Sequence, residues 1–102
     1  MIVWNARNDS VVLDVAVLYK VTTPTTLVDP DGTVHNLTNT IAKAASIGLM
    51  QVGERRDVAF EVEYNKNVPV TVSITVQWRG GSSRVFERTL NLPDHSFGTY
   101  EF

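Results

Sequence analysis

Asp94-His95-Ser96 brings together, within three residues, the side-chain types of a hydrolase triad. A triad needs its nucleophile, base and orienting carboxylate to converge from distant positions, because chain neighbours cannot reach one another in the required geometry. No Gly-x-Ser-x-Gly elbow occurs, so the tripeptide reads as a polar loop. His35 and His95 are the only imidazoles, and they show no ligand spacing that would specify zinc. Asp29-Pro30-Asp31-Gly32 hints at a calcium loop, but no alternating acids and no closing bidentate glutamate follow Gly32. Pro30 pre-sets its own φ and Gly32 accepts a positive one, so the tetrapeptide predicts a hairpin turn. Glu61 and Glu63 share the polar face of one strand pattern rather than forming an acid/base pair. The sequence therefore assigns no catalytic residue, no metal ligand and no cofactor, and predicts a protein that is not an enzyme.

Bulk charge excludes further classes. Nine basic against eleven acidic residues leave a net charge of -2, too balanced to draw in nucleic acid or anionic lipid. Arg79, Arg84 and Arg88 gather around the last hairpin pattern, and Arg55 and Arg56 open another strand. A basic hairpin can hold phosphate, yet Glu87 and Glu61 stand ready as cross-strand partners and no aromatic is interleaved for base stacking. Without cysteine there is no disulfide and no thiolate. Met1 precedes no basic leader and no run long enough to span a bilayer. The expected compartment is cytoplasmic for a complete gene product, the cell surface for an excised domain, and the virion for a phage-encoded one.

The elements that would position these side chains are strands. Sixteen Val, eleven Thr and four Ile make nearly a third of 102 residues β-branched, which suits a pleated surface better than a helix. Asn8-Asp9-Ser10 is a turn signal. Val11, Leu13, Val15, Val17, Tyr19 and Val21 then alternate with Val12, Asp14, Ala16, Leu18 and Lys20, so the odd residues predict a core face. Val12, Ala16 and Leu18 make the even face partly apolar too. Pro24 is expected to end this strand, with short strands at 26–28 and 33–37 around the turn. Residues 38–48 hold the one helical pattern, Ile41, Ala44, Ala45 and Gly48 at helical spacing after a Thr38 or Asn39 cap, so a short helix is expected near 39–47. Val58, Phe60, Val62 and Tyr64 predict another inward face, and Asn65-Lys66-Asn67 a turn. Val68, Val70, Val72, Ile74, Val76 and Trp78 make the longest alternating run, and Gly80-Gly81-Ser82-Ser83 predicts a four-residue loop before a last strand with Phe86, Leu90 and Leu92 inward. About seven strands in antiparallel pairs, each with one apolar face, predict a two-sheet sandwich.

Two segments resemble the bacterial immunoglobulin-like and fibronectin type III-like modules of cell-surface and secreted proteins. Val3-Trp4-Asn5-Ala6-Arg7-Asn8-Asp9-Ser10, followed by Leu13-Asp14-Val15-Ala16-Val17, is similar to their opening strand, Asn-rich turn and second strand. Met50-Gln51-Val52-Gly53-Glu54 before Val58-Ala59-Phe60-Glu61-Val62 is similar to their Leu-x-x-Gly-Glu turn, with Met50 in place of Leu and Val52 where Pro is usual. The resemblance touches about a third of the chain, and the Cys-Trp-Cys framework of antibody domains is absent. It implies an all-β, immunoglobulin-like antiparallel sandwich serving as a scaffold or binding module.

The sequence divides into a sandwich over residues 1–92 and an aromatic tail over 93–102. Phe97, Tyr100 and Phe102 are three of nine aromatics, packed into the last six residues. Chain ends fray unless tied down and aromatics enrich interface cores. The tail therefore either covers its own domain, over Val12, Ala16 and Leu18, or docks on a neighbouring subunit. These six residues are the candidate partner contacts. Three functions follow: a structural or protein-interaction module, acting on a protein partner or by self-association; a phage or virion accessory protein for decoration or tail assembly; and a carbohydrate- or small-ligand-binding module using Trp4 and Trp78. No nucleic-acid partner and no membrane insertion are expected, and the oligomeric state is open.

Overall fold

A computed structural model of the chain describes residues 1–61, 68–90 and 97–102. Among them lie seven strands and no helix: β1 (Ile2–Trp4), β2 (Val12–Val28), β3 (Val34–Met50), β4 (Arg55–Asp57), β5 (Val70–Trp78), β6 (Gly81–Leu90) and β7 (Thr99–Glu101). They form a three-stranded sheet in the order β4-β1-β7 and a four-stranded sheet in the order β3-β2-β5-β6. All pairings are antiparallel except β1 with β7, which is parallel. The chain is all-β with two sheets, as its composition predicts.

The core lies between the sheets. Val15, Val17, Tyr19 and Val21 from β2 and Val70, Val72, Ile74 and Val76 from β5 are buried together with Val3 of β1 and Met50 of β3. Period-two alternation thus holds through β5 and from Val15 to Val21 of β2. It slips at the start of β2, where Val12 is buried and Val11 is exposed. The cause is a β-bulge between Val12 and Val15, with Asp14 at φ +56° and Gly48, which pairs with Val15, at φ +82°. One extra residue reverses the phase of everything before it. The Leu13 carbonyl accepts from the Arg79 N–H at 2.8 Å, and Arg79 Nε donates to Asp14 Oδ2 at 2.7 Å. A side chain at Gly48 would have space, but its backbone lies where L-residues are strained. Gly48→Ala is expected to lower stability by about 1–2 kcal/mol, read as a shift in the urea midpoint at unchanged slope.

Residues 38–48 are strand rather than helix, because β3 pairs with β2 along its whole length, from Val28↔Val34 to Val12↔Met50. The Ile41, Ala44, Ala45 and Gly48 spacing fits a helix, but a short helix has no stability of its own, and β2 offers a complete ladder. Pro24 does not end β2, which runs on to Val28. Asp29 N–H donates to the Thr33 carbonyl, so, alternating back along the ladder, Pro24 and Thr38 fall in a pair that exchanges no bonds. The nitrogen of Pro24 therefore faces away from β3, and the ladder loses nothing.

Pro24 ends something else. The β2·β5 ladder stops at Thr22↔Thr71, and the next pair due to exchange bonds in that register is Pro24 with Pro69. Neither has an N–H. Beyond this point β2 and β3 leave the sheet as a two-stranded arm, residues 23–39, about 20 Å long at 3.4 Å per residue. The molecule accordingly measures 64 × 25 × 17 Å, with a radius of gyration of 17.1 Å against about 13 Å for a compact chain of this length.

Of the strand expected over 58–64, the described residues 58–61 join no ladder, and β4 ends before them at Asp57; the loop expected over 80–83 is a tighter turn, since β6 already begins at Gly81. Val58 is buried all the same, and Phe60 stacks on Tyr19 with centroids 4.8 Å apart. Val62, Glu63 and Tyr64, the 65–67 turn, Leu92 and the Asp94-His95-Ser96 tripeptide lie outside the described residues.

Candidate functional site

Asn5 is the one buried polar residue among those described. Its Nδ2 lies 3.1 Å from the Ser10 carbonyl, 3.2 Å from that of Met50 and 3.1 Å from that of Gln51, while Oδ1 accepts from the Arg7 N–H. Its backbone exchanges bonds with the second loop as well, Asn5 N–H to Glu54 and Gly53 N–H to Asn5. Asn5 thus ties the turn after β1 to the turn after β3. Glu54 braces the second turn: Arg56 Nε donates to one carboxylate oxygen at 2.6 Å and the Gln51 N–H to the other, and these bonds hold its pKa below the ordinary value. This is scaffolding, and sequence reading passed over it because a lone asparagine in a turn carries no periodic signal.

The tail residues pack inward. Tyr100 sits in β7 opposite Val3, and Phe102 N–H donates to the Trp4 carbonyl. Phe102 meets Trp78 edge-on with centroids 5.1 Å apart, and Tyr100 lies 6.1 Å from the same indole. Phe97 packs against Phe86 at 4.7 Å and Tyr19 at 6.1 Å. Burial there raises the pKa of the Tyr19 phenol. These rings join the inner side of the four-stranded sheet, not its Ala16 and Leu18 side. The Trp78 ring is wedged between them and Gly81, where an added Cβ would lie 2.9 Å from the indole. Trp4 carries the Arg55 guanidinium 4.2 Å above its ring.

Of the other predicted contacts, Val12 is core by virtue of the bulge. Ala16 and Leu18 do face outward. Leu18 lines an open depression of about 420 Å³ with Lys20, Ala42, Ala44, Thr75 and Arg84. Threonines span all four strands at its edge, in the register Thr40-Thr22-Thr71-Thr89, with hydroxyl contacts of 3.3 Å and 3.1 Å within the outer pairs. Basic residues of the hairpins are engaged locally: Arg84 with Glu87, and Arg88 over the Phe86 ring. Among the described residues no group of three potential metal ligands occurs. Asp31 accepts from the Thr33 N–H, a bond that lowers its pKa, and Asp29 Oδ2 lies 2.7 Å from His35 Nε2. The 29–32 segment is a hairpin turn.

What sequence reading missed is the arm. Leu27, Val28, Val34, Leu37 and Ile41 are exposed by 53, 59, 57, 51 and 38%. Leu27, Leu37 and Ile41 continue the phase of Val17, Tyr19 and Val21, so the core stripe runs off the body into solvent. Between Val21 and Ala42 the formal charges, Asp29 and Asp31, both lie in the turn. That charge-poor stretch, mirrored about the turn, was the available signal.

Compared with protein-family models, curated proteins and solved structures, the chain matches none.

Proposed function

We propose that this protein is a non-enzymatic structural or interaction module whose arm docks on protein. The observation that carries this reading is the exposed apolar stripe on residues 23–41. A two-stranded ribbon is at best marginally stable in water by itself, and this one keeps large aliphatic side chains wet. Burial against a partner supplies the missing layer. An immunoglobulin-like relationship belongs to the same reading. It is supported by the two resembling segments meeting at Asn5, which would place the arm as an extension of an otherwise ordinary sandwich. The virion alternative draws on the same projection, since symmetric shells and tubes bury such elements between copies.

The test removes the arm. Replacing residues 24–38 by Asn-Gly, a two-residue hairpin turn closed by the hydrogen-bonded pair Thr23↔Asn39, should leave a body that melts within a few degrees of the full chain. It should also abolish the complexes that the tagged full chain forms in its native source. A trimmed chain that unfolds, or one that keeps every partner, overturns the proposal.

A further inference from the structure

Among the described residues, strand edges show which side of the arm is open. An unpaired edge invites another strand unless proline, charge or a bulge blocks it. On β6 the edge carries Arg84, Glu87 and Arg88 and an irregularity opposite Ile74/Thr75. On the arm half of β2, Pro24 withholds the outward N–H. The body half of β3 carries Lys43 opposite Tyr19, with its ammonium donating to the Glu61 carbonyl. The arm half of β3, residues 34–42, has neither proline nor formal charge. By the alternation established at the turn, the N–H and C=O groups of Asn36, Thr38 and Thr40 point outward from it.

Resting on the reading of the arm as a docking element, we propose that its occupant is a second copy of this chain. The two β3 edges pair antiparallel about a two-fold axis at Asn39, making one four-stranded sheet from two arms. Three observations favour this partner. A strand paired with itself about a two-fold axis is antiparallel by symmetry, and the register centred on Asn39 sets Leu37 against Ile41 of the other copy, twice, on the face that continues the core stripe. Two ribbons become a sheet of four strands, enough for stability where two are not. The charges are also compatible: Lys43 of the second copy falls opposite His35, whose ring is already bonded by the Asp29 carboxylate, so no like charges face each other across the axis. An edge contact of this length buries less than the roughly 800 Å² per partner of a standard interface, which sets the expected affinity in the micromolar range or weaker.

Sedimentation of the purified full chain, from about 1 µM to about 1 mM, should show a shift from one to two chain masses. Thr40→Pro removes an outward N–H without touching the β2 ladder, as Pro24 does on its own strand. It should weaken dimerisation at least tenfold while leaving the near-UV spectrum of the aromatic core unchanged. Because the natural chain has no cysteine, Asn39→Cys gives an independent reading. A pair across the axis without mutual backbone bonds stands about 4.5 Å apart at Cα, within disulfide range, so mild oxidation should link two chains. Thr25→Cys, on the blocked strand, should not link. A single-chain mass throughout with no Asn39→Cys dimer, equal crosslinking at both sites, or an assembly of three or more copies overturns the two-fold pairing. If trimming the arm still abolishes capture of another protein in any of these cases, the docking role stands and only the identity of the occupant falls.

Discussion

Asn5→Ala is expected to cost about 4 kcal/mol and lower the melting temperature by roughly 20 °C. The two N–H groups of its amide are shared among three carbonyls and its oxygen accepts one bond, in a fully buried position. Each such bond is worth about 1 kcal/mol net, and each buried partner left unsatisfied costs about 1–3 kcal/mol. Water entering the vacated space recovers part of this, which keeps the total near the upper end for single substitutions. For a domain of about 100 residues each kcal/mol moves the midpoint by about 4–8 °C. Asn5→Asp separates polarity from hydrogen bonding. Its carboxylate would be buried against the carbonyls of Ser10, Met50 and Gln51, so its folded pKa should rise above the unfolded value. The variant should then be most stable in acid, and lose stability as pH climbs from the unfolded carboxylate pKa toward the raised folded one. Thermal melts of both variants at pH 4 and pH 7 check this. An Asn5→Ala chain that melts with the wild type would show that the two turns hold without their shared side chain.

Deleting residues 97–102 should destabilise the monomer by about 5 kcal/mol, an estimate from three half-buried rings at about 25 cal/mol per Å², and leave its mass in solution the same as that of the full chain. The loss is structural. β7 supplies one flank of the three-stranded sheet, the Gly98 carbonyl accepts from the Ile2 N–H, and Phe102 bonds to Trp4. Without them β1 pairs with β4 alone, two strands of three residues each. Trp78 would also lose the Phe102 ring and Phe86 the Phe97 ring. Calorimetry and light scattering on the truncated chain distinguish the two roles of the tail. A lower midpoint with unchanged mass marks an internal lid, whereas an unchanged midpoint with a changed mass marks a docking element and contradicts the packing seen here.

Local pattern carried the fold class. Val70, Val72, Ile74 and Val76 are buried as their alternation requires, because side-chain direction in a strand is a property of the strand itself. The Asp29–Gly32 turn was legible for the same reason, since its φ preferences are built into Pro30 and Gly32.

Tertiary structure decided the rest, wherever the outcome depended on a partner strand. Residues 38–48 satisfy helical and extended spacing alike, and β2 settled the choice by offering a ladder along their whole length. The burial of Val12 depends on a bulge braced by Arg79, 65 residues from Asp14. The sequence shows Pro24 and Pro69 but not that they stand opposite each other, and that register alone turns two prolines into the point where an arm departs. Period is written residue by residue; register is a relation between distant segments, set only when their hydrogen bonds and buried faces compete in three dimensions.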